Sequence, residues 1–411
     1  MSKPMGPIPP SFRADDEMLL IGGRRSDTLI GEAGDTPLFV YDFQMVEHKV
    51  ERFRVAFPNV QLHYAIKANS YEPLLKNIAR LVDGLDVASA GEMEMALRAG
   101  AAADRISFAG PGKRDSEMAA AMAEGITINL ESEGEAQRAV AIGNSQSIRP
   151  RLAVRVNPDF EIKGSAIRMS GGARPFGVDS DRVSDLVRSL IEAKADWRGF
   201  HIFAGSQSLS ADSLIDAQAA TLDLAAALAE KIGVPPPLVN LGGGFGIPYF
   251  AGEKPLDVEA VAKALNRKLA SRATILAETV FAIELGRWLV GEAGVYLTRI
   301  VDRKVSHGKT FLVTDGGLHH QLAASGNFGQ VVRRNYPVAV ANRFGQMSGE
   351  EVSVVGCLCT PLDRLADDVM LPRAEVGDVI AIFLAGAYGL SASPQAFLGH
   401  PQARETVVGV S

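Results

Sequence analysis

Between residues 62 and 284, short apolar runs alternate with longer segments whose apolar residues recur every three or four positions. The runs Leu62–Ala68, Gly84–Ser89, Ile106–Ala109, Ile126–Leu130, Leu152–Val156, Gly199–Phe203, Leu238–Leu241 and Val280–Glu284 read as strands. Ala-, Leu- and Glu-rich stretches such as Ser89–Ala99 and Ser116–Glu124 carry helical spacing between them. Eight strands separated by helices over about 250 residues is the count for a (β/α)8 barrel of the TIM type. A doubly wound open α/β sheet has the same local signature, so periodicity alone leaves it as the alternative.

The texture changes near Gly286. Val295–Val301, Thr310–Thr314, Val352–Val355 and Val379–Phe383 are β-rich runs joined by Gly, Asp and Pro turns. This predicts a separate C-terminal all-β domain over 286–411, after a barrel over 41–285. Residues 1–35 read as a loosely ordered lead-in, followed by a strand at Pro37–Tyr41. The N-terminal segment 1–40 is expected to pack with the β-domain. No internal repeat or low-complexity tract interrupts the pattern.

Composition narrows the function classes. The 411 residues carry 42 Lys and Arg against 48 Asp and Glu, a net charge of −6. A mildly acidic chain lacks the electrostatic footprint of a nucleic-acid or anionic-membrane binder. The only cysteines, Cys357 and Cys359, are too few for a disulfide framework, and C-x-C is not a zinc spacing. No carboxylate or cysteine stands at metal spacing beside His319-His320, so no metal site is expected. No apolar run approaches the ~18 residues of a membrane span, and Met1–Phe12 is proline-rich without an apolar core. A reducing, cytoplasmic setting is the expectation.

Candidate chemistry sits at strand ends. In His63-Tyr64-Ala65-Ile66-Lys67-Ala68-Asn69, read as the first barrel strand, alternation puts His63, Ala65 and Lys67 on the inner face. Lys67 then points into the barrel near the strand's C-terminal end, where barrel enzymes do their chemistry. A buried lysine must be paired or neutralised. A Schiff base with an aldehyde cofactor does this and uses the pKa that burial lowers. Taken alone, the lysine reads equally as a rim residue reaching for water. Asn240-Leu241-Gly242-Gly243-Gly244-Phe245-Gly246 follows the seventh strand, where glycines let backbone N–H groups crowd a phosphate, or simply make a turn. Glu284, at the end of strand eight in Glu284-Leu285-Gly286-Arg287, faces the same mouth. Beside a pyridine nitrogen it would keep that nitrogen protonated, and a pyridinium is a strong electron sink. A rim salt bridge between Glu284 and Arg287 is the plainer alternative.

Together the segments YAIKAN, GLDVAS, GFHIFAGSQ, NLGGGFG, ELGR, CTPLD and GAYG, in that order, resemble the fold type III pyridoxal-phosphate decarboxylases of the ornithine/diaminopimelate decarboxylase family. PIPPSF, LVDGLDVASAGE, FAGPGK and LHHQLAASGNFGQVVRRNYPV narrow the resemblance to the decarboxylases associated with exosortase A systems and exopolysaccharide gene clusters. The resemblance implies an alanine racemase/ornithine decarboxylase-like fold and pyridoxal 5'-phosphate as cofactor. It implies Lys67 as Schiff-base lysine and Glu284 as partner of the pyridine nitrogen. Ser206, Gly243, Gly244, Gly286, Arg287 and Tyr388 would hold the phosphate. Asp86 would sit beside Lys67 and the ring, with Arg155 a lesser member of that network. It further implies a homodimer with shared active sites, in which Cys359 from the partner subunit protonates the carbanion after carbon dioxide leaves. Phe397 would approach the same pocket.

Departures from the family pattern bear on substrate. Where many members have H-x-H-x-G-S-Q, this chain has His201-Ile202-Phe203-Ala204-Gly205-Ser206-Gln207, so Phe203 takes the place of the ring-stacking histidine. Its face still stacks but offers no hydrogen bond. Ornithine-type enzymes follow the cysteine with Asp, and diaminopimelate-type enzymes with Glu. Here Thr360-Pro361 follows, which cannot pair a distal ammonium. Free ornithine, lysine and diaminopimelate are therefore not the expected substrates. The amino acid is either another free one or one carried on an acyl carrier protein. Two other readings stand beside a decarboxylase: a racemase on the same fold, and a non-catalytic cofactor-binding relative. Racemases of this type put an arginine at the pyridine nitrogen, and Glu284 argues against that. Retention of Lys67, the glycine loop, Glu284, Cys359 and Tyr388 argues against a dead site.

Overall fold

The computed structural model describes residues 2–160, 167–168, 172–330 and 332–410, with only the backbone described at Ile167 and Arg168. It divides into two compact units, one of residues 50–247 and 255–286, the other of 1–49, 248–254 and 287–411.

The first unit is a closed parallel barrel. Its strands are β1 (Gln61–Ala65), β2 (Gly84–Val87), β3 (Ile106–Phe108), β4 (Thr127–Leu130), β5 (Arg151–Asn157), β6 (Asp196–Ile202), β7 (Leu238–Asn240) and β8 (Val280–Leu285). Each pairs in parallel with its successor; β8 pairs with β1 and β4 with β5, which closes the ring and removes the open-sheet alternative. The barrel strands are buried along nearly their whole length, as strands covered on both faces must be. The covering helices follow from local rules. Ser89 and Ser132 cap the helices Ala90–Arg98 and Glu133–Gln146, each accepting an N–H from the third residue on, Glu92 and Glu135. Helix Glu72–Leu81 buries Leu74, Leu75, Ile78 and Ala79, one stripe at helical spacing.

Two expectations change. The first strand ends at Ala65, and Ile66–Ala68 forms a 3-10 turn. The Tyr64 hydroxyl donates to the Asn69 carbonyl at 2.8 Å and closes this turn. Lys67 is thus carried by a turn at the barrel mouth, not by strand alternation. The lead-in is not loose either. Arg13–Asp15, Met18–Ile21 and Arg24–Arg25 form a small sheet followed by helix Ser26–Ala33, anchored by buried Leu19, Ile21, Leu29 and Ile30. These apolar positions are too few and too scattered to announce elements by periodicity.

The second unit is β-rich. Its spine is Gly294–Ser306, 13 residues long. The first half pairs with Leu38–Asp42 on one side and Val379–Phe383 on the other, and the second half with Lys309–Thr314. Val338–Val340, Glu350–Val355, Arg364–Leu371 and Arg404–Val408 complete the sheet. Pairing of Leu38–Asp42 into it ties the N-terminal segment to the C-terminal half of the chain. Among the described residues, no helix is long and apolar enough to cross a membrane.

One glycine decides the geometry of β6. The register with β5 slips between Trp197 and Gly199, a bulge where Gly199 has φ +107°. A Cβ there would lie 1.9 Å from the Leu238 carbonyl oxygen. Gly199→Ala should therefore destabilise the barrel by about 2–4 kcal/mol. A urea midpoint of the apoprotein equal to wild type would disprove the bulge.

Candidate active site

A cavity of about 210 Å³ opens at the C-terminal end of the barrel strands, the end where barrel active sites lie. Lys67, Asp86, Arg155, Phe176, His201, Phe203 and Glu284 line it. Four residues expected from the sequence, Lys67, Asp86, Phe203 and Glu284, thus meet in one place, with Arg155. Lys67 Nζ lies 3.6 Å from Glu284 Oε1 and 5.4 Å from the centre of the Phe203 ring.

Glu284 is the most constrained group. Its side chain is 4% exposed, and His201 Nε2 lies 3.0 Å from its second oxygen. Burial pushes its pKa up, but the Lys67 ammonium and then His201 pull it down, to about 2. Facing an ionised carboxylate, His201 Nε2 carries the hydrogen and donates it. The backbone around Glu284 is equally confined. Gly242 accepts its N–H at 2.8 Å, and a Cβ on Gly243 would fall 1.9 Å from its carbonyl oxygen. Gly243 is glycine because the loop after β7 touches the backbone of β8 there.

Arg155 is held from behind. Its guanidinium donates to Glu131 Oε1 at 2.9 Å and stacks 5.0 Å from the Phe176 ring. Glu131 also accepts N–H bonds from Gly110 and Gly177 at 2.7 and 2.8 Å. Arg155 and Lys113 hold the Glu131 pKa below the ordinary value against its burial.

The remaining expected residues lie apart from this cavity's lining. Ser206 is half-buried in Gly205–Ser206, a two-residue strand paired with Ile167–Arg168. Gly244 has φ +96°, and its carbonyl accepts the Ser208 N–H. A Cβ on Gly286 would press on Ala68 at 2.8 Å. Arg287 and Tyr388 belong to the second unit and meet there, the guanidinium 4.6 Å from the Tyr388 ring centre. Arg287 also donates to the Tyr249 hydroxyl at 2.9 Å, while its Nε is buried without a hydrogen-bond partner. Its pairing is with tyrosines, not with Glu284. Cys359 is exposed in the second unit, as is Phe397. Cys357 is half-buried, 3.7 Å from His400 Nδ1, and burial raises its thiol pKa to about 11. His320 hydrogen-bonds Tyr296 and the Pro401 carbonyl, and among the described residues no His, Cys, Asp and Glu group is arranged to hold a metal ion.

Sequence reasoning missed His201, Tyr249 and Phe176. The signal for His201 was its place near the C-terminal end of β6, one strand alternation before Phe203.

The donor set fits pyridoxal phosphate: an amine for the aldehyde, an ionised buried carboxylate for a protonated ring nitrogen, and an aromatic face. Comparison with known proteins agrees. Residues 43–291 match the family model "Pyridoxal-dependent decarboxylase, pyridoxal binding domain". The L-glutamyl-[BtrI acyl-carrier protein] decarboxylase of Niallia circulans is 39% identical over 91% of this chain and 89% of its own. The diaminopimelate decarboxylase of Archaeoglobus fulgidus is 32% identical over 97% and 93%. A crystal structure of the Helicobacter pylori diaminopimelate decarboxylase with L-lysine superposes with a TM-score of 0.82 at 28% identity, covering 93% of this chain and 94% of that one. The chain belongs to the fold type III pyridoxal-dependent decarboxylase family. It is a pyridoxal-phosphate enzyme, a carboxy-lyase acting on an amino acid or an aminoacyl-carrier substrate, and the racemase alternative is not favoured.

The depressed Glu284 pKa has a thermodynamic consequence. Its contribution to stability is complete above the ordinary 4.5 and is lost as pH falls toward about 2. The urea-midpoint gap between apo wild type and Glu284→Gln should shrink as pH drops from 7 to 3. A gap independent of pH would mean Glu284 is not ionised by its neighbours.

Proposed function

We propose that this decarboxylase acts on an α-amino acid held through its side chain as a thioester on an acyl carrier protein. The α-amino group must be free to meet the cofactor aldehyde, and the α-carboxylate must be free to leave. Only the side chain can then carry the link. The observation that carries this reading is Thr360-Pro361 after Cys359, where a carboxylate for a distal ammonium would stand. The 39% identity to an L-glutamyl-carrier decarboxylase, against 32% to a diaminopimelate enzyme, supports it.

The roles follow the side chains. The bound cofactor supplies an electron sink for the carbanion left by carbon dioxide. Lys67 would hold it through Nζ. Glu284, ionised and oriented by His201, keeps the pyridine nitrogen protonated. Phe203 offers a ring face, and Asp86 lines the same cavity. Ser206, Gly243, Gly244, Gly286, Arg287 and Tyr388 are the phosphate-holding set on this reading. Cys359 delivers the proton to the carbanion carbon from a partner subunit, which makes the working unit a homodimer.

The test is loss of carbon dioxide by mass spectrometry from L-glutamyl-carrier protein and from free diaminopimelate, ornithine and lysine. The carrier substrate should win by at least ~100-fold in kcat/KM, and Lys67→Ala should be inert. The opposite ranking overturns the carrier reading. Cys359→Ala should lose about 10²–10⁴-fold in kcat. Mixed with Lys67→Ala, it should regain activity; no regain would refute the shared site.

A further inference from the structure

The barrel interior carries a polar chain where apolar layers are the rule. Asn129 on β4 donates to Ser107 Oγ on β3 at 2.9 Å, and Ser107 donates to Asp86 Oδ1 on β2 at 2.5 Å. Asp86 Oδ2 faces His63 Nδ1 on β1 at 3.5 Å, and His63 Nε2 lies 3.3 Å from Gln61 Oε1. Four consecutive strands contribute, β1 through both His63 and Gln61. Asp86 opens into the Lys67 cavity. His63, Ser107 and Asn129 line a second cavity, about 240 Å³, at the N-terminal end of the strands. The chain is the partition between the two.

His63 is built into this partition. Its ring lies flat on Gly84 of β2, where a Cβ would come within 2.7–2.8 Å of three ring atoms. Nδ1 and Asp86 Oδ2 are both buried with no hydrogen-bond partner, and each is the other's nearest complement. An oxygen faces each ring nitrogen, so a doubly protonated imidazolium satisfies both.

We infer that His63 is a positioning residue of the decarboxylase, an imidazolium that fixes the charge and aim of the Asp86 carboxylate in the Lys67 cavity. The link to catalysis rests on Lys67 and Glu284 holding the cofactor; the ion pair itself does not. The charged groups that act most strongly on His63 are acidic: Asp86 on β2, Glu284 at the register position beside it on β8, and Asp83 just before β2, while Arg105, Arg151 and Arg198 line the same N-terminal cavity. Burial lowers the His63 pKa, but these carboxylates, Asp86 foremost, reverse it, and the net direction is upward. Removing His63 leaves Asp86 without its cation in a buried site, where a carboxylate protonates or turns away.

The first measurement is imidazole titration by NMR in the apoprotein, with His63 assigned through His63→Gln. His63 should titrate above the ordinary histidine value, and Asp86→Asn should lower it by at least ~1 pH unit. An ordinary value that Asp86→Asn leaves unmoved overturns the proposal whether or not the cofactor reading holds. The second measurement is the pH titration of cofactor absorbance in the loaded protein. His63→Gln should shift it by at least ~0.5 pH unit, with no further shift when added to Asp86→Asn. A superimposable titration, or an additive double variant, also overturns it. Should His63→Gln fail to fold, the histidine signal that Asp86→Asn displaces decides the matter.

Discussion

An ionised carboxylate buried in a barrel is costly, and the site is organised around keeping Glu284 in that state. Burial opposes the charge, and two neighbours reverse the balance, the Lys67 ammonium beside one oxygen and the His201 N–H on the other. The arrangement makes Glu284 a strong partner for a protonated ring nitrogen and a poor general acid. A neutral acid there would leave the cofactor ring without the charge that deepens its electron sink.

The barrel supplies what that state requires. Closure brings β8 beside β1, so Glu284 and the turn carrying Lys67 are neighbours despite a separation of 217 positions in numbering. The glycine loop after β7 then seals the backbone: Gly242 accepts the Glu284 N–H, and Gly243 passes against its carbonyl without a side chain. Glycine here serves packing of the carboxylate's own backbone as much as any ligand.

Much of this was legible in the sequence. Eight apolar runs marked the eight strands, and the spacing of YAIKAN and ELGR placed Lys67 and Glu284 at one mouth. The turn at Ile66–Ala68 was hidden because Tyr64 makes it through a side-chain bond to the Asn69 carbonyl, which no apolar pattern encodes. His201 was hidden because one histidine on an apolar strand reads as core until its partner is placed. Arg287 went to two tyrosines instead of Glu284, since a chain that bends after β8 separates side chains that numbering puts three apart.

Charge in the upper barrel is distributed as pairs, each of which removes a different uncertainty. Arg155 answers Glu131, which also pins the backbone at Gly110 and Gly177 and so fixes the cavity wall. Lys113 answers Glu135 at 2.8 Å and is held on two carbonyls, away from Lys67. Asp86 answers His63. Lys67 alone is both half-exposed and opposite a carboxylate already shared with His201. His201 keeps one hydrogen bond on Glu284 whatever Lys67 does, although the Lys67 ammonium is the larger contributor to its ionisation.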